Sequence, residues 1–98
     1  MNTELANTIY QQLGGSRFKV MTGANSFSAS DDGITFRIPR NRAKAKAVRI
    51  TLTPADLYRM ELFAVRNFEV QKVAERDDIF CDELELAFGE MTGLATSL

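Results

Sequence analysis

The spacing of apolar residues changes twice along this chain, and no other feature of the sequence constrains its fold as tightly. Near the N-terminus Leu5, Ile9 and Leu13 recur at i, i+4 and i+8, a stripe down one face of a helix over residues 3–13. Asn2 or Thr3 supplies an N-cap, Glu4 suits the positive end of the helix dipole, and Gly14-Gly15 supplies a left-handed stop. After the glycines the period drops to two. Phe18 and Val20 alternate with Arg17, Lys19 and Met21, which predicts a strand, and Thr22 to Ser26 is turn chemistry before a short strand at Phe27. Asp31-Asp32-Gly33 then turns the chain into Ile34, Phe36 and Ile38, and Pro39 ends that strand or confines it to an edge.

The alternation resumes in Val48, Ile50 and Leu52, and again in Tyr58, Met60, Leu62 and Ala64. Arg66-Asn67 predicts a tight turn into Phe68, Val70 and Lys72, with Phe63, Val65 and Val73 adding apolar area to the second face. Helical spacing returns at the end. Phe80, Leu84, Ala87, Phe88 and Met91 fall at i, i+4, i+7, i+8 and i+11, with Asp78 as the expected N-cap and Gly93 as the expected stop.

A period that runs helical, alternating and helical implies an α+β fold. The expectation is one domain over residues 1–98, with a central antiparallel sheet of about five strands and the N- and C-terminal helices packed on one face. Ninety-eight residues suffice for one core without disulfide staples. The core is expected to hold Phe80, Leu84, Phe88 and Met91 beside Leu5, Ile9 and Leu13.

Little in the chain suggests catalysis. Histidine, the commonest general base, is absent, and no nucleophile sits in an activating motif. One cysteine, Cys81, forms neither an internal disulfide nor a conventional zinc site. Asp77, Asp78, Asp82 and Glu83 match no calcium or magnesium loop, and their expected role is to enrich a helix N-terminus in acids. The glycines at 14–15 and 23 lie where turns belong, whereas a phosphate loop runs from a strand into a helix. The chain is therefore expected to have no enzymatic activity, cofactor or metal. Its start lacks the basic and apolar pattern of a signal peptide, and no apolar run approaches the ~20 residues of a membrane span. A reducing cytoplasm is the expected compartment, with no membrane role.

Charge distribution is the main functional clue. The net charge is −1, yet Arg37, Arg40, Arg42, Lys44, Lys46 and Arg49 follow one another without an acidic residue between Gly33 and Ala55. From Asp56 onward the chain carries ten acids. The segment from Arg40 to Lys46 is expected to be an exposed, mobile loop, since it lacks the large apolar residues that would anchor it. Its four cations, with Arg37 and Arg49 in the flanking strands, are the candidate binding residues, suited to a phosphate backbone or an acidic protein surface.

Several stretches resemble small proteins encoded by bacteriophages and prophages. They are Ile9 to Phe18 (IYQQLGGSRF), Met21-Thr22-Gly23-Ala24, Ile34 to Pro39 (ITFRIP), Val48 to Thr53 (VRITLT) and Glu90-Met91-Thr92-Gly93-Leu94. The resemblance implies an accessory protein that acts by binding a host or phage protein, or nucleic acid, and it carries no site residues with it. The alternative is a structural or assembly protein that associates with itself and has no role on nucleic acid.

Overall fold

In the computed structural model, which describes residues 3–94, Gly14 and Gly15 turn the chain from one helix into another. Helix α1 covers Thr3–Leu13 and buries Ala6, Ile9 and Leu13, as its stripe requires. Asn2 lies outside the described residues. Helix α2 covers Ser16–Thr22, where the alternation had predicted a strand. Phe18 is fully buried while Val20 is 79% exposed, so the two residues assigned to one face point apart. Five residues are too few to separate a period of two from one of 3.6 when a single apolar position reaches the core. The buried pair is Phe18 and Thr22, one helical turn apart, and the Thr22 hydroxyl donates to the Phe18 carbonyl at 2.7 Å.

The sheet is a meander of five antiparallel strands in the order β1-β2-β3-β4-β5. Its strands are β1 (Asn25–Ser30), β2 (Gly33–Arg37), β3 (Ala47–Leu52), β4 (Tyr58–Arg66) and β5 (Glu69–Ile79). The expected α+β class and antiparallel sheet are thus present. Ile34, Phe36, Val48, Ile50, Met60 and Leu62 line the inner face and are buried. Between them stand Arg49, Arg59, Glu61 and Phe63 on the outer face, as period-two alternation demands.

Register is continuous through β2–β3 and β3–β4 but shifts in both outer strands. Ser26 and Asp78, each with φ of 57°, sit at these irregularities. Such bulges insert a residue and bend the strand. Gly33 marks a close approach of another kind, since a Cβ there would lie 1.8 Å from the Ile50 carbonyl oxygen.

The last helix begins later than its spacing suggested. Strand β5 runs through Asp77 and Asp78 to Ile79, because Ile79 takes a buried place opposite Tyr58. A short 3-10 turn at Cys81–Glu83 follows, and α3 spans Leu84–Thr92. Asp78 therefore belongs to the sheet and caps no helix. Phe80 is 58% exposed and outside the core, and Met91 and Leu5 are only partly buried. Gly93 ends α3 in the left-handed conformation, as expected.

Leu84, Ala87 and Phe88 pack inward. Phe88 meets Phe18 at 4.8 Å between ring centroids, and Phe18 meets Phe36 at 5.7 Å, so three buried rings join α3, α2 and β2. Each fully buried phenylalanine contributes about 1.5–3 kcal/mol.

Candidate functional site

The basic segment after β2 is exposed in its charges and anchored in its backbone. Pro39 carries no amide hydrogen, so the ladder cannot continue through it. The Ile38 amide instead donates to the Lys46 carbonyl at 3.1 Å, and the Lys46 amide donates to the Phe63 carbonyl of β4 at 2.7 Å. Between these ties Asn41 acts as the internal brace. Its Nδ2 donates to the carbonyls of Pro39 and Ala45 at 2.8 and 2.6 Å, and its Oδ1 accepts the Ala45 amide at 3.2 Å. Ala45 is buried and Ala43 packs against the core. The expectation of a segment unable to bury itself is corrected here. Two alanines and an asparagine provide the anchorage, and none of them registers as a large apolar residue.

The six candidate cations divide into three groups. Arg37, Arg40, Lys44 and Lys46 line a concavity of about 810 Å³, together with Asn25, Asn41 and a floor that includes Ile38 and Ala45. No carboxylate lines it. Arg42 turns the other way. Its amide donates to the Thr92 carbonyl at 3.1 Å and its Nη2 to the Glu90 carbonyl at 2.7 Å, which satisfies open acceptors at the end of α3. Arg49 stands on the outer face of β3 with its guanidinium 5.3 Å from the centre of the Phe63 ring, a cation–π contact.

Beyond the groove, the outer face over β4 and β5 is a lattice of ion pairs. Lys72 bridges Glu61 and Glu75 at 3.1 and 3.0 Å, and Arg59 binds Asp77. The hydrogen bond to Glu75, followed by that to Glu61, raises the Lys72 pKa, and burial raises that of Tyr58. Both shifts lead away from neutrality, so neither group gains the character of a general base. Cys81 is exposed. Among the described residues no three His, Cys, Asp or Glu side chains are grouped so as to hold a metal ion. Within the same residues no helix is long and apolar enough to cross a membrane.

A second concavity of about 110 Å³ lies between α3 and the end of β5, with Ile79, Leu86 and Ala87 below and Asp77, Asp78, Glu83 and Glu90 around it beside one cation, Arg76. At the opposite end of β5 the β4–β5 hairpin carries exposed Val65, Phe68 and Val70. Sequence reasoning placed this turn at Arg66-Asn67, one residue early. The central residues are Asn67 and Phe68, with φ of 52° and 65°.

Comparison with known proteins leaves the geometry to speak alone: no family model, no curated protein and no solved structure matches this chain.

Proposed function

We propose that this chain is a non-enzymatic phage or prophage accessory protein that binds a macromolecule through its basic groove, and that a nucleic-acid backbone is the partner the groove suits best. One observation carries the reading. Four cations converge on a single open concavity from which every carboxylate is excluded, although the chain as a whole is slightly acidic. A phosphate backbone needs a run of cations and no base-specific geometry. The lining offers Arg and Lys without an exposed aromatic, so phosphate contacts would dominate over base stacking and over the aromatic anchoring that protein interfaces favour. The bacterial host cytoplasm is the compartment where such a partner is met.

Fluorescence anisotropy with a labelled oligonucleotide tests this directly. Four phosphate contacts should lower affinity roughly 100-fold between about 50 and 200 mM salt, with little dependence on base sequence. Changing Arg37, Arg40, Lys44 and Lys46 together to Ser should abolish binding and leave the fold intact. Absence of binding by the wild-type chain at low salt, or binding indifferent to the fourfold change, would overturn the proposal.

A further inference from the structure

The hairpin arm and the acid-rimmed concavity are complementary, and they lie at opposite ends of the same strand. Beyond Phe63 strand β4 has no partner in β3, and past the buried Ala64 residues 65–70 project as a two-stranded arm. Val65 and Val70 face each other across it, 48% and 70% exposed, and Phe68 at the tip is fully exposed. The φ of Phe68 lies in the left-handed region, which a bulky side chain rarely occupies and which two-residue hairpins commonly give to glycine. A strained, wholly exposed aromatic at a turn is poorly explained by the stability of the isolated chain.

The concavity at the other end offers what that tip lacks. Its volume of about 110 Å³ is of the order of the ~150 Å³ cavity that accommodates a benzene ring. Its apolar floor includes Leu86, itself 63% exposed. Around it Asp77 is bound by Arg59 and Glu90 by Arg76. Asp78 and Glu83 have no ion-pair partner among the described residues. On the arm itself Arg66 faces Glu69, and it is the cations of the neighbouring groove that make this end of the molecule basic, so the two ends attract. The arm cannot reach its own concavity, because residues 69–75 of β5 lie between the two and hold them roughly 25 Å apart.

We propose that copies of this chain associate head to tail, the Phe68 tip of one copy seating in the acid-rimmed concavity between α3 and β5 of the next. The contact joins unlike surfaces, so it propagates into a ring or an open chain of subunits. None of its contact residues lines the groove, so the two proposals are tested apart although the groove cations add to the attraction between the ends.

Sedimentation velocity on the full chain over a range of concentrations provides the test. The average mass should rise at least about twofold above the monomer at low salt and fall back as salt increases. Phe68→Gly and Leu86→Ser should each remain monomeric, and both sites are exposed enough for the fold to survive. An equimolar mixture of these two variants should form a one-to-one dimer and nothing larger, because each retains a different half of the contact. A wild-type chain that stays monomeric, variants that still associate, or a mixture that stays monomeric would each overturn the proposal. Oligonucleotide binding by the Phe68→Gly variant keeps the outcome for the groove separate.

Discussion

The basic loop and the β4–β5 arm leave the same end of the sheet, and both look like exposed connections, yet they are built in opposite ways. The loop is highly charged, but its backbone is tied to β4, to the end of α3 and to itself through Asn41, with Ala45 buried beneath. The arm is regular β-structure by hydrogen bonding, but its tip touches no core and holds Phe68 in a strained conformation. Anchorage therefore does not follow regularity. An irregular segment with satisfied polar groups is more firmly held than a ladder with water on both faces.

Mutation can break that contrast at three strengths. Asn41→Ala should have the largest effect, because it removes three hydrogen bonds and strands the part-buried carbonyl and amide of Ala45. A loss of about 2–3 kcal/mol in denaturant melts is expected, and a loss under ~0.5 kcal/mol would mean the loop is not anchored as described. Arg42→Ala comes next. It should lower stability by about 1–2 kcal/mol through the open end of α3, while oligonucleotide affinity changes far less than on loss of Arg40. The reverse pattern would return Arg42 to the binding set. Phe68→Gly should have the smallest effect and the opposite sign, a gain of up to ~1 kcal/mol as left-handed strain is relieved. A clear loss in thermal melts would show that the arm is held by contacts of its tip.

How much of this was legible in the sequence depended on how many neighbours each residue shared a rule with. Val48, Ile50, Met60 and Leu62 announced β3 and β4 because each strand buries one face and exposes the other over several residues. Phe18 could not announce α2, since its buried partner one turn on, Thr22, is polar and adds nothing to a hydrophobic period. Phe80 misled in the other direction. Its spacing to Leu84 fitted a helix, but the pairing of Ile79 with Tyr58 keeps the preceding residues in the sheet. At the candidate site all six cations were visible by composition. Their division was not, because it turns on which way Arg42 points and on small residues, Asn41 and Ala45, that carry little hydrophobic signal. The concavity beside α3 was hidden for a similar reason: it forms where Asp78 and Glu83 meet Leu86, across a boundary between strand and helix that the sequence misplaced.

The bulges at the margins of the sheet have a consequence for concentrated solutions. An open five-stranded meander has two outer strands whose free amides and carbonyls could recruit further chains without limit, the route by which many β-proteins precipitate or form fibres. Here the kinks fall in those two strands, at Ser26 in β1 and at Asp78 and Val73 in β5, while the inner pairings run straight. An incoming strand would find the spacing of donors and acceptors broken partway along either border. Growth by backbone zippering is thereby discouraged, and assembly is left to side chains that can be counted, mutated and saturated.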